Sequence, residues 1–198
     1  MTAERRKMSR SRILTGARDI LDGGVYGDLT VDALARSLHM SKSTLYKYFA
    51  SKEDVIVALI DLACTESEDA LAEVAVDSGS ALEALDALVD VLAAHADRVP
   101  RAAVLQHSRL PSTCQNRIEV TRATLGRAFR AVMDRGAASG EFQFADGALA
   151  ATTFMAASHA AMKESARGEF SGTRGEGVRR VYELLLPGMV GQALAAAG

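Results

Sequence analysis

Tryptophan is absent from the 198 residues, proline occurs three times, at Pro100, Pro111 and Pro187, and cysteine twice, at Cys64 and Cys114. Two distant cysteines without a C-x-x-C spacing exclude a disulfide framework and a thiolate zinc site, and point to a reducing, cytoplasmic setting. The rarity of proline leaves long uninterrupted stretches, and the 36 alanines that fill them favour helix over strand. No apolar signal core follows the basic start (Arg5, Arg6, Lys7, Arg10, Arg12), and the apolar run from Gly147 to Met162 is interrupted by Thr152, Thr153, Ser158 and His159. Neither secretion nor a membrane span is expected. Lysine and arginine are missing altogether between Lys52 and Arg98.

What is present is an ordinary balance, 48% hydrophobic and 24% charged, with 23 basic and 25 acidic side chains. The balance is uneven along the chain. Residues 1–55 carry ten basic and seven acidic groups, a net +3, so the remaining 143 carry 13 and 18, a net −5. Residues 98–135 hold eight arginines against Glu119 and Asp134 alone. The alanine-rich stretches predict an all-α chain, and the charge split predicts two domains with different partners, divided as 1–55 and 56–198.

In the first domain Ile13, Ala17, Ile20 and Leu21 share one helical face, which predicts a short amphipathic helix ended by Gly23-Gly24. Thr30 stands where an N-cap belongs, and Val31, Leu34, Ala35 and Leu38 give the second helix its apolar face. A break at His39-Met40-Ser41 leads to a third helix, Lys42 to Phe49, with Ser41 as its cap and Leu45 and Phe49 pointing inward. Two short helices joined by a tight turn make a helix-turn-helix. The outward face of the third helix holds Lys42, Ser43, Thr44, Tyr46, Lys47 and Tyr48, hydrogen-bond donors without a carboxylate among them. That chemistry suits an anionic groove, hydroxyls and lysines on phosphates and Lys47 with the first residues of the helix near base edges. Ser51-Lys52-Glu53-Asp54 reads as the capped start of a fourth helix, with Lys52 beside a phosphate, and the N-terminal arginines add a mobile electrostatic grip.

The runs Leu29-Thr30-Val31-Asp32-Ala33-Leu34-Ala35 and Met40-Ser41-Lys42-Ser43-Thr44-Leu45-Tyr46-Lys47-Tyr48-Phe49-Ala50-Ser51-Lys52-Glu53 resemble the DNA-binding domain of the TetR family. The resemblance implies phosphate contacts from Thr30, Thr44, Tyr46, Tyr48 and Lys52, and places Lys42, Ser43 and Lys47 closest to bases. It further implies a homodimer joined by the last two helices, a palindromic double-stranded DNA site, and a small-molecule effector that releases a repressor. Two departures stand out: His39 occupies the turn position where the family usually has glycine, and Ser43 replaces a glycine common in the recognition helix. Asp32 would repel phosphate if it pointed outward.

Beyond residue 56 the pattern predicts helices over Ser51–Val76, Ser80–Ala96, Pro111–Ala138, Ala145–Arg167 and Thr173–Ala195, with Pro187 kinking or breaking the last. The helix at 145–167 is apolar nearly all round and must be covered on both sides. Candidate effector contacts are Phe129, Met133, Phe154, Met155 and His159 as an apolar pocket, and Arg122 for an anionic ligand, because its spacing from Ile118 and Leu125 turns it inward. The competing readings are packed core for the apolar residues and an ion pair with the acidic helices for Arg122. No cofactor or metal site is expected, and no H-E-x-x-H, G-x-S-x-G, Glu-x-x-His or P-loop pattern supports an enzyme. An activator, an effector-independent regulator of the same fold, and a helical adaptor without DNA binding stand as alternatives.

Overall fold

The computed structural model describes residues 3–74, 79–144 and 146–190, with side chains from Lys7 onward. Among them the secondary structure is helical without strands: α1 (Ala3–Gly23), α2 (Val31–Ser37), α3 (Lys42–Tyr46), α4 (Lys52–Ala72), α5 (Ala81–Arg98), α6 (Arg101–Leu105), α7 (Ser112–Ser139), α8 (Gly147–Arg167) and α9 (Arg174–Met189). Single 3-10 turns occur at Tyr26–Asp28 and His107–Arg109.

The chain forms two compact units, Met1–Cys64 with Val99–Ile118, and Thr65–Arg98 with Glu119–Gly198. Compactness therefore divides the chain within α4, and the first unit takes in α6 and the start of α7. In that unit Ile13, Ala17, Leu21, Leu29, Leu34, Leu45, Ile56, Leu59 and Ile60 are buried, the expected faces of α1 to α3 closing over the start of α4. Each leucine or isoleucine among them, withdrawn from water, contributes about 1.5–3 kcal/mol. Ile20 is only half-buried, and Leu14 takes its place in the core. At 21 residues α1 is not the short helix its apolar stripe suggests. Polar residues from Ala3 to Arg12 continue the helix without adding to that stripe. The third helix ends at Tyr46, three residues before Phe49; the Tyr48 and Phe49 N–H groups then donate to the Leu45 carbonyl, at 2.9 and 3.1 Å.

The second unit has its own core of Leu85, Leu88, Leu125, Phe129, Val132, Met133, Phe154 and Val178. Its α9 packs against both α5 and α8 because two glycines let the backbones approach. A Cβ at Gly175 would lie 2.6 Å from the Ala93 carbonyl oxygen, and one at Gly177 would lie 2.8 Å from Ser165 Oγ. Thr173 and Glu176 form a reciprocal capping box at the start of α9. Pro187 sits inside α9, which runs on past it to Met189, and the Val190 N–H still donates to the Leu186 carbonyl at 3.0 Å. The expected ends at Val76 and Ala195, the stop at Asp77-Ser78 and the start at Ala145 lie outside the described residues.

Candidate nucleic-acid interface

The three helices that follow α1 are each started by a hydroxyl. Thr30 Oγ1 accepts the Ala33 N–H at 3.0 Å, Ser41 Oγ accepts the Thr44 N–H at 3.1 Å, and Ser51 Oγ accepts the Asp54 N–H at 3.0 Å. The turn between α2 and α3 is a Schellman stop. The His39 N–H donates to the Arg36 carbonyl at 3.2 Å and the Met40 N–H to the Ala35 carbonyl at 2.9 Å, with His39 in the left-handed region at φ 52°. Arg12 of α1 donates to the Leu38 carbonyl at 3.0 Å, and the Arg10 guanidinium lies 5.3 Å over the Phe49 ring. Two arginines expected in a mobile basic arm are thus engaged on a helix; the side chains of Arg5 and Arg6 lie outside the described residues.

These constraints orient α3 outward. Leu45 and Phe49 are buried, whereas Lys42, Ser43, Tyr46 and Lys47 are exposed, with Thr44 and Tyr48 half-buried. The hydroxyls form one cluster, Ser41 Oγ lying 2.9 Å from Ser43 Oγ and 2.8 Å from Thr44 Oγ1. The serine that replaces glycine in the family pattern therefore binds the cap of its own helix. The three lysines differ. Lys42 pairs with Asp32, the first-turn carboxylate of α2. Lys52 lies 5.1 Å over the Tyr26 ring, whose phenol is pushed above its ordinary value by burial and then by the charges of Glu53 and Cys114. Lys47 extends from the C-cap of α3 into solvent.

Behind this face the backbone is tied down by contacts that local pattern could not reveal. The Tyr26 N–H donates to Gln106 Oε1 at 3.0 Å, and Asp22 Oδ1 accepts the Arg101 N–H at 2.7 Å. Asp22 thereby caps α6, whose own N-cap, Pro100, offers no side-chain bond.

Four of the effector candidates come together in the core of the second unit, and the other two, His159 and Arg122, are exposed. Phe129, Met133 and Phe154 are buried in the core of the second unit, the two rings 5.1 Å apart, while Met155 is half-buried and His159 exposed. Arg122 does not turn inward: it is exposed, and its Nε donates to Glu119 Oε2 at 3.0 Å one turn earlier on α7. Burial instead follows Thr121, whose hydroxyl donates to Glu68 Oε1 at 2.8 Å. An i, i+4 reading from Leu125 leads back to Thr121. Pairing with the acidic helices holds for Arg98 with Glu66, at 3.1 Å, and Arg117 with Asp61, at 3.0 Å. Ser67 Oγ and His95 Nδ1, 2.8 Å apart, are a second buried polar pair that periodicity did not single out.

Residues 13–59, from the inward stripe of α1 to the buried face of α4, match the family model for bacterial regulatory proteins of the tetR family. Over that segment the chain is similar to tetR-family regulatory proteins. Over 59 residues it is 37% identical to the HTH-type transcriptional regulator EthR of Mycobacterium tuberculosis, a match covering 30% of this chain and 27% of that protein. Likeness of fold reaches well beyond that segment. A TetR-family transcriptional regulator from Agrobacterium tumefaciens superposes with a TM-score of 0.75 at 22% identity, covering 94% of this chain and all of that one (100%). A transcriptional regulator from Saccharomonospora viridis in complex with choline gives 0.76 at 17% identity, over 94% and 100% of the two chains. Among the described residues no helix is long and apolar enough to cross a membrane.

Proposed function

We propose that the protein is a cytoplasmic transcriptional regulator, not an enzyme: a homodimeric repressor that binds a palindromic duplex and leaves it when a small-molecule effector binds. The exposed donor face of α3, held by buried Leu45 and Phe49, carries this reading. Thr30, Thr44, Tyr46, Tyr48 and Lys52 bind phosphates and fix the register, while Lys42, Ser43 and Lys47 approach base edges in the major groove. Residues 1–55 act as the reader, and residues 56–198 as the effector-binding and dimerisation part.

Two-fold symmetry of the partners supports the palindrome, since two identical recognition helices require two half-sites at a matching spacing. The solved complex of the Saccharomonospora viridis regulator with choline supports a small-molecule effector. With Arg122 engaged by Glu119, the apolar residues Phe129, Met133, Phe154 and Met155 are the better candidates for its contacts. A ligand that favours the form with the wrong half-site spacing releases DNA in proportion to that preference, and α4, continuous from Lys52 to Ala72, is the proposed link.

Selection of bound sequences from a random duplex pool, followed by titration of the winner at two salt concentrations, tests this. The expected outcome is an enriched palindrome whose affinity falls by about 10³-fold or more between 50 and 200 mM salt. Failure to enrich any sequence, with no salt-dependent binding, overturns the proposal.

A further inference from the structure

The Asp32–Lys42 pair gives the reading face a feature that its list of donors does not show. Asp32 is exposed in the first turn of α2, where the helix dipole favours its negative charge and the Thr30 cap fixes its backbone. Lys42 begins α3, and its ammonium is on that carboxylate. Among the described residues the other two lysines of the face have no carboxylate contact of this kind: Lys52 faces the Tyr26 ring and Lys47 projects from the C-cap.

We propose that Asp32 is a specificity-determining residue that competes with DNA phosphate for Lys42. The inference rests on the DNA-binding reading above and concerns how the face distinguishes one duplex from another. For Lys42 to neutralise a phosphate, it must leave a carboxylate of equal charge, which then faces the polyanion alone. The gain is small, and the cost falls on every duplex regardless of sequence. Only a site that presents a guanine O6 and N7 to Lys42 recovers the loss, because a lysine on that edge gains base hydrogen bonds a phosphate cannot supply. Asp32 thus lowers affinity for random DNA more than affinity for the operator. An exposed pair is weak enough to be opened by such a site, so the carboxylate does not lock Lys42 away.

The test is a set of titrations on the selected operator and on a random duplex, each over a salt series, with parent, Asp32→Asn, Lys42→Met and the double variant. Asn at this exposed position keeps the shape and removes the charge. Expected for Asp32→Asn are random-duplex binding tightened by roughly three- to fivefold, a salt slope steeper by about 0.9, and a smaller operator-to-random ratio. In the Lys42→Met background the same substitution should tighten binding clearly less, because the competition has lost its cation and only the repulsion between Asp32 and phosphate remains. Unchanged slope and random-duplex affinity in Asp32→Asn overturn the proposal. So does an equal effect in both backgrounds, which would mean that Asp32 repels phosphate directly. A parent that binds no duplex at any salt overturns this and the DNA-binding reading together; binding with an unresponsive Asp32 overturns this alone.

Discussion

His39 and Gly168 end their helices by the same hydrogen-bond pattern, yet only one has the residue that the pattern favours. After α8, Gly168 takes φ 84°, its N–H donates to the Ser165 carbonyl and the Glu169 N–H to the Glu164 carbonyl, both at 3.0 Å. After α2 the equivalent left-handed position is His39, at φ 52°. An L side chain there crowds its own carbonyl at a cost of about 1–2 kcal/mol, partly offset because glycine has more backbone freedom to lose on folding. His39 is exposed, so nothing in packing depends on its ring. His39→Gly is expected to raise unfolding free energy in urea by about 0.5 kcal/mol, and His39→Val, β-branched and stiffer, to lower it by more than about 1 kcal/mol. Equal or reversed midpoints for the two variants would show that the turn carries no such strain.

Signals within four residues were legible at the scale of the helix, and signals supplied from elsewhere in the chain were not. Thr30, Ser41 and Ser51 could be named as caps because a capping hydroxyl and its N–H lie three residues apart. The same reasoning misses α6, five residues long and capped by Asp22 from 79 positions away. On α7 Leu125, Phe129, Val132 and Met133 are buried, and one turn before Leu125 the buried residue is Thr121, where the spacing predicts Arg122. One residue is about 100° of rotation, enough to exchange a buried hydroxyl for an exposed guanidinium. Ser80 likewise marks the start of α5, whereas its partner there, Glu141, does not show. Glu141 Oε2 accepts from Ser80 Oγ at 2.8 Å, from the Ala81 N–H at 2.8 Å and from the Leu82 N–H at 3.4 Å. Burial raises its carboxyl, but the bonds from Ser80, Ser139, Leu82 and Ala81 together outweigh that and hold it below its ordinary value. A depressed carboxyl contributes stability above its unfolded pKa and loses it as pH falls through the folded one. Glu141→Gln is therefore expected to cost about 1 kcal/mol at pH 7, with parent and variant converging below about pH 4 in urea melts. A gap that persists at pH 3 would assign the effect to packing.

For the whole molecule, the decisive feature is an apolar surface that a single chain leaves open. Leu149, Thr153, Ala156 and Ala160 recur at helical spacing along α8 and all are exposed, Leu149 at 63%. On α9, Leu184 is exposed at 78%, between Arg180 and Pro187 on the same side of the helix. α8 is covered by α9, through buried Phe154, Met162 and Val178, and by α7, whose Phe129 ring lies 5.1 Å from that of Phe154, while the side carrying Leu149 stays open in the single chain. The open side has the small and apolar character that lets helices of two chains approach, and it supports the proposed homodimer. Leu184 is so exposed in the single chain that a charge there should leave the subunit fold intact while entering an apolar interface in the pair. Leu184→Glu is expected to weaken dimerisation by about tenfold or more in sedimentation, with the thermal midpoint unchanged at concentrations where both proteins are monomeric. Because a palindrome rewards two readers held together, the same variant should lose operator affinity in proportion to its lost dimer, yet keep the parent's affinity for an isolated half-site. A variant that stays dimeric and binds the operator normally would move the subunit contact away from α8 and α9, and the half-site spacing would then have to be set by another surface.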